Sequence, residues 1–223
     1  MGIVLGYLCL ICFLLLGGKL ITKRFHAIKL DRVLMKLHKP VSAIMLILCV
    51  LHIFYVIPVM RNRSIAVSLT GMIAMLVVVL LIVLCHIMKE KKTRMQWHRI
   101  LSVAIAVLVV GHIVTYFIDF GNYQHRISSI EIENRNLCEI EDGSYEGEYD
   151  AGYIYAKVKV DIKDGRIEAI TLLEHRHERG EAAEIISKKV MEEQRLDVDA
   201  VSGATNSSKV IKKAVENALV QGD

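Results

Sequence analysis

Four long apolar runs, at residues 3–22, 41–60, 65–88 and 100–119, constrain this chain more than anything else in it. Each has about the length needed to cross a hydrocarbon core of roughly 30 Å. Inside lipid, a lone segment can satisfy its backbone N–H and C=O groups only by coiling on itself, so each run reads as a helix. The expected N-terminal half is an all-α membrane bundle of four helices. At 53% hydrophobic residues and a mean hydropathy of +0.41, the chain is too apolar for an ordinary soluble domain. The first run has no basic segment before it and no small-residue cleavage site, so it reads as a retained helix rather than a signal peptide.

Charge divides the chain. Residues 1–120 carry 14 Lys and Arg against 3 Asp and Glu, whereas residues 121–223 carry 14 against 21. A basic apolar part followed by an acidic part suggests a membrane domain and a water-soluble one. The basic residues cluster beside the apolar runs, so they report topology and not nucleic-acid binding. Lys19, Lys23, Arg24, Lys29, Arg32, Lys36 and Lys39 face only Asp31 in the first connection, and Lys89, Lys91, Lys92, Arg94 and Arg99 face only Glu90 in the third. The middle connection holds Arg61 and Arg63. The excess places the first and third connections in the cytoplasm, and the N-terminus, the middle loop and everything after Phe120 outside. Between the first two runs, Phe25, Ile28, Leu30, Val33, Leu34 and Leu37 alternate with basic residues, which predicts a short amphipathic helix on the inner leaflet.

Cys9, Cys12, Cys49 and Cys85 lie in apolar runs and Cys138 stands alone in the polar half, which excludes a disulfide framework. Histidine placement says more. His38 and His52 are 14 residues apart on the second helix, and His98 and His112 are 14 apart on the fourth. Fourteen residues return to within about 40° of the same face, about 21 Å along the axis. The two helices run in the same direction, so His38 matches His98 in depth near the inner surface, and His52 matches His112 towards the outer one. Facing imidazoles at matched depth are what axial ligation of a haem iron needs. Taken singly, each histidine also reads as an interfacial residue or a structural hydrogen bond; the repeated spacing favours two b-type haems. Gly111 beside His112 leaves room for a porphyrin. His26, His86, His175 and His177 receive no role; His175 and His177 suit a metal in spacing, but no third ligand is suggested.

From Gly121 to Asp142 the composition turns polar and acidic and reads as a linker, after which residues 143–223 read as a small α+β domain. Tyr153–Ile162 alternates as a half-buried strand, Asp164-Gly165 signals a hairpin, and Ile167–Leu173 returns. A helix over 181–194 is expected to turn Ala182, Ile185, Ile186, Lys189 and Val190 inward, and Val198–Val201 suggests a short strand. A last helix follows, with Val210, Ile211, Ala214, Val215, Ala218 and Leu219 on one face.

Before that helix stands Asp199-Ala200-Val201-Ser202-Gly203-Ala204-Thr205. By chemistry alone it fits either a plain helix cap or a phosphate seat. The stretch resembles the flavinylation motif of the FMN-binding domain family, which includes the covalently flavinylated subunits of Na+-translocating NADH:quinone reductase and of the Rnf complex. The order of elements over 143–221 is similar too. The resemblance implies FMN joined to Thr205 by a phosphoester bond that an FAD:protein FMN transferase installs. Ser202, Gly203 and Ala204 would shape the phosphate turn, and Asp199 would orient it or help bind the transferase's metal. The double histidine pair resembles di-haem b-type cytochromes and the ferric-reductase-like membrane domains, although those reductases usually have six helices.

Together these readings predict a membrane cytochrome-like domain at 1–120, a linker at 121–142 and an extracytoplasmic FMN-binding domain at 143–223 in the cytoplasmic membrane. The expected activity is electron transfer from a quinol or a cytoplasmic-side dehydrogenase, through two b haems, to the flavin and on to an external acceptor. Gly-x-Gly-x-x-Gly opening a helix after a strand is missing, which argues against direct NADH oxidation by this chain. The alternative is a membrane-anchored flavin- or ligand-binding subunit or sensor without haem.

Overall fold

The computed structural model describes residues 1–25 and 28–222, with the side chains of residues 19–21, 23 and 24 left aside. His26 and Asp223, and the side chains of Lys19, Lys23 and Arg24 counted in the first basic connection, therefore lie outside the described residues. The chain divides into two compact units, Met1–Arg61 and Asn62–Asp223.

The first unit is a helical hairpin of α1 (Gly2–Arg24) and α2 (Ile28–Val56). Near the turn, the buried Thr22 hydroxyl donates to Asp31 at 3.2 Å. The predicted surface helix is not separate: α2 runs from Ile28 through Pro40 without a break. Proline fixes φ near the helical value and removes one N–H, so it weakens a helix at one point without ending it when both flanks are strong formers. The Ser42 hydroxyl donates to the Lys39 carbonyl at 2.8 Å beside that point. A 3-10 turn over Ile57–Asn62, which contains Pro58, closes the segment.

The second unit opens with α3 (Ile65–Ile87), capped by Ser64, whose hydroxyl accepts from the Val67 amide. The helix α4 (Lys91–Ser128) folds back beside it. At 38 residues, α4 is about 57 Å long, nearly twice the thickness of a hydrocarbon core. Three helices of the described residues, Ile28–Asn62, Ile65–Ile87 and Lys91–Ser128, are long and apolar enough to cross a membrane, and Gly2–Gly18 forms a shorter apolar helix. Large apolar side chains such as Phe54, Leu76 and Val107 point outward along them. Such exposure suits lipid and not water, and it marks a membrane-anchored protein.

The stretch predicted as a linker is structured. Residues 121–128 continue α4, with Tyr123 and Ile127 buried. Residues 129–142 lie against the C-terminal domain through Ile130 and Ile140. The Lys213 ammonium also holds the Glu131 carbonyl at 3.0 Å. A polar composition predicted a solvated connection, but a few apolar residues spaced through it suffice to pack it down.

The C-terminal domain is a three-stranded antiparallel sheet of β1 (Gly143–Asp150), β2 (Tyr155–Lys163) and β3 (Arg166–Arg176), with β2 central. Asp164 and Gly165 both take positive φ in the hairpin between β2 and β3, as a type I′ turn requires. On β2 the inward residues are Ala156, Val158, Val160 and Ile162. They meet α5 (Ile186–Glu193) and α6 (Thr205–Leu219) in one core. Every residue of the predicted α6 face is buried.

Two local expectations fail for physical reasons. The segment before α5 is a 3-10 turn over Glu181–Ile185. Its three-residue period rotates the inner face to Ala183, Ile186 and Val190, and leaves Ile185 exposed. Residues 198–201 form no strand. The Val198 carbonyl is instead taken by Lys212 Nζ at 2.8 Å, and the Val201 amide by Ser208 Oγ at 3.0 Å. With both groups satisfied by α6 side chains, no neighbouring strand is needed.

At Gly147 on β1, a Cβ would overlap the Ala214 carbonyl oxygen and the Ala218 amide of α6 and stand 2.8 Å from Ala218 Cα. Gly147→Ala is expected to destabilise the domain by about 3 kcal/mol, since an added methyl cannot be absorbed by backbone. Thermal unfolding of the detergent-solubilised chain, followed by circular dichroism, checks this.

Candidate functional site

The first turn of α6 and the loop before it build the site. The Ala204 amide donates to the Val201 carbonyl at 3.0 Å, closing a turn whose third residue, Gly203, has φ +77°. A side chain there would be strained, so glycine is required. Ala204 is the N-cap of α6 and provides no side-chain acceptor. The first amides of the helix therefore present the positive end of the dipole without the usual Ser or Asp in front of them. Ser202, Gly203 and Thr205 are exposed, while Ala204, Ser207 and Ser208 are buried. A hydroxyl at the first helical position, beside uncapped amides, suits a phosphate joined to Thr205.

The loop before the turn is anchored from behind. Lys212 is buried along most of its stem and donates to Val198. Burial pushes its ammonium below the usual lysine range, and Asp197 and Asp199 pull it part of the way back. Asp199 itself is exposed near the motif. The Asp197 carboxyl lies below its ordinary range, first because of its hydrogen bond with Asn134.

Two further segments reach the motif. The first is the end of α4. Asn206 Nδ2 donates to Tyr123 Oη at 2.9 Å. Tyr123 stacks on Tyr153 with centroids 4.5 Å apart and planes 11° from parallel, and Phe120 packs against both rings. The guanidinium of Arg63, from the connection before α3, lies 3.5 Å from the centroid of the Tyr153 ring, and it pairs with Glu178. Burial raises the Tyr153 phenol above its ordinary range, and Arg63 pulls it partly back.

The second is the loop after β3. At Gly180 a Cβ would stand 2.7 Å from Ser207 Cβ, so this loop lies directly against α6. It carries His175 and His177, and the fold adds the third group that the sequence did not suggest. Ligand atoms of His175, His177 and Glu184 lie within 4.8 Å of one another. Hydrogen bonding assigns these groups other work. The Gly180 amide donates to His177 Nδ1 at 3.0 Å, so a neutral His177 carries its proton on Nε2, where a metal would have to bind. His175 Nδ1 lies 3.0 Å from Glu184 Oε1, and its side chain is 2% exposed. The pair reads as an imidazole oriented by a carboxylate. The glycine-punctuated loop, with acids six to nine residues after the histidines, was the signal available.

His52 Nδ1 is 2.8 Å from the Gly2 carbonyl oxygen, which only accepts, so Nδ1 bears the proton and the Nε2 lone pair is available in the neutral ring. His112 Nδ1 is 3.2 Å from Thr70 Oγ1, which also lies 2.8 Å from the Ala66 carbonyl oxygen. Each ring lies against a glycine of the neighbouring helix. A Cβ on Gly6 would stand 3.2 Å from His52 Cε1, and one on Gly71 would stand 3.0 Å from His112 Cε1. The same device, an oxygen beside Nδ1 and a glycine against the ring, thus occurs in both helical hairpins. His98 Nδ1 faces Ser102 Oγ at 3.4 Å, and His38 lies with Leu15, Leu34 and Val41 in a small cleft between α1 and α2. His86 Nδ1 donates back to the Ile82 carbonyl at 2.9 Å. Gly111 opens onto free space.

Comparison with known proteins bears on the C-terminal domain. Residues 151–220 match the FMN-binding domain family. This FMN-binding domain contains the whole motif, the histidine loop and α6. The chain is also similar to an uncharacterised protein of Treponema pallidum (strain Nichols), with 31% identity over 127 residues. That alignment takes in 54% of this chain and 35% of the relative, so the chain spans about a third of the relative's length. No solved structure matches. The match supports a flavoprotein: an FMN-binding domain on membrane helices, suited to flavin-related electron transfer.

Burial holds the His175 imidazole below its ordinary value, Glu184 pulls it back up, and His177 pushes it further down. A histidine with a depressed folded pKa favours the fold above the unfolded value of about 6.5 and loses that stability as pH falls towards the folded one. The thermal midpoint of the domain is therefore expected to drop between about pH 7 and about pH 5. His175→Gln should flatten that drop, as measured by calorimetry.

Proposed function

We propose that this chain is a membrane electron-transfer protein that carries FMN covalently on Thr205 and two b haems in its helices. His38 and His98 would hold the inner iron and His52 and His112 the outer one, in a four-helix bundle with both the N-terminus and the C-terminal domain outside the cytoplasmic membrane. One observation carries the reading. Asn206, next to Thr205, is hydrogen-bonded to Tyr123, eleven residues after His112 on α4 and so about 16 Å further along the axis. The attachment site is held at the end of the helix that bears the outer histidine, not out in solution.

When bound, these groups supply one-electron and two-electron redox chemistry that no side chain here can perform. The residues supply position. Gly203 shapes the turn, Ala204 leaves the helix amides uncapped, and Thr205 offers an exposed hydroxyl for a phosphoester installed by an FAD:protein FMN transferase. Asp199 would orient that turn or help bind the transferase's metal. Gly2 and Thr70 each provide an oxygen for the Nδ1 of His52 and His112, and Nε2 would be the ligand atom. A quinol or a cytoplasmic-side dehydrogenase would be the donor, and an acceptor outside the membrane the destination. The same oxygen partners also satisfy the two histidines without iron, which favours, as a second reading, a flavin subunit or sensor with no haem.

Purification of the chain co-expressed with the transferase separates the readings. Covalent flavin fluorescence is expected in a denaturing gel, and Thr205→Ala should abolish it. A Soret band and a pyridine haemochrome assay giving two haems per chain are expected, with one haem lost in His52→Ala and the same one in His112→Ala. Flavin without any Soret band leaves the second reading standing.

A further inference from the structure

Arg63 lies on the short connection between two membrane helices, yet its side chain is only 9% exposed. Its guanidinium covers the Tyr153 ring, and Nη2 pairs with Glu178. Two independent routes lead from it to the motif. Tyr153 stacks on Tyr123, which holds Asn206. Glu178 opens the loop whose Gly180 packs on Ser207. Both routes end on the two residues that follow Thr205.

Among the described residues, Arg63 Nη1 is buried with no hydrogen-bond partner. Glu178 occupies Nη2, and the aromatic face of Tyr153 accepts the flat of the guanidinium but not the protons at its edge. Buried donors are normally satisfied, and one left over on a fixed cation marks a missing acceptor. Asp119, the other nearby acid, is engaged by the Ser64 amide at 3.4 Å. The acceptor that suits it is anionic: a planar guanidinium favours phosphate or carboxylate oxygens, and the α6 terminus, to which both routes lead, favours the same charge.

We propose that Arg63 is a phosphate ligand of the flavin site, with Nη1 donating to a non-bridging oxygen of the FMN phosphate at Thr205. This rests on the reading of Thr205 as the attachment residue. The cofactor site is then shared: α6 supplies amides and the hydroxyl, and the loop between membrane helices supplies the cation. Glu178 and Tyr153 hold that cation in place, with Nη2 on Glu178 and Nη1 left for the phosphate.

The test uses the full chain in detergent, with Thr205→Ala to leave an open, unlinked site. Binding of FMN and of riboflavin, which lacks the phosphate, is measured by fluorescence quenching. Adding Arg63→Gln is expected to weaken FMN about tenfold or more, the value of a charge-assisted hydrogen bond, and to leave riboflavin unchanged. Glu178→Gln, which keeps the arginine and loosens its hold, is expected to weaken FMN several-fold and to leave riboflavin unchanged. Equal weakening of both ligands by Arg63→Gln makes it a packing residue and overturns the inference. Overturning results also include no effect of either variant on FMN, and no FMN affinity in the Thr205→Ala chain. If Arg63→Gln fails to fold, the Glu178→Gln comparison decides. Intact mass of the wild-type chain, with flavin present or absent, tests the attachment reading separately.

Discussion

The position of α6 depends on one close approach. Its backbone lies against β1 at Gly147, where no side chain fits, and its Val and Ile residues fill the core between the sheet and α5. A helix held this tightly has little freedom to slide or turn. Its first turn, and with it Thr205, is therefore set by packing at the middle and far end of the helix. The loop before it follows the same logic, since Lys212 and Ser208 reach back from α6 to hold Val198 and Val201. What looks like a flexible turn is fixed from behind by the helix it leads into.

From that fixed end, contacts run towards the membrane. The aromatic group of Phe120, Tyr123 and Tyr153, with Arg63 over it, joins the motif to α4 and to the loop before α3. Aromatic rings suit this place because they bury area while their polar edges find partners. α4 can take part because it is longer than a hydrocarbon core is thick, and its last turns end among the residues of the C-terminal domain. One helix thus carries an intramembrane histidine and a contact to the flavin motif, and the distance between them is set by helix geometry alone.

The two hairpins show how a polar ring is kept in an apolar helix. His52 and His112 each find an oxygen for Nδ1 and a glycine opposite the ring. A buried imidazole without such a partner would be costly in lipid. The arrangement satisfies each ring on one side, which is what both a structural histidine and an iron ligand need. The His175–Glu184 pair of the C-terminal domain follows the same rule in a water-soluble setting.

The apolar runs, the hairpin turn at Asp164-Gly165, the inward face of β2 and the buried face of α6 were legible in the sequence, because each depends on local spacing and on residue types with one strong preference. So was the motif at 199–205, through its small residues ahead of a helix. Local spacing misled where neighbouring segments decided. Residues 121–128 read as linker but are helix, because Tyr123 and Ile127 find a domain to bury against. Val198–Val201 read as strand but is not, because α6 side chains take its backbone groups. Arg63 read only as a loop charge, Tyr123 as part of a linker, Tyr153 as the start of a strand, and Glu184 not as a partner of His175. These residues lie far apart in the chain, and their meeting depends on long-range packing that no local pattern encodes. Sequence alone determined that the chain has membrane helices and a flavin-type motif; only the tertiary structure decided that the motif sits against the end of α4, because contacts between distant segments exist only once the core has fixed where each segment ends.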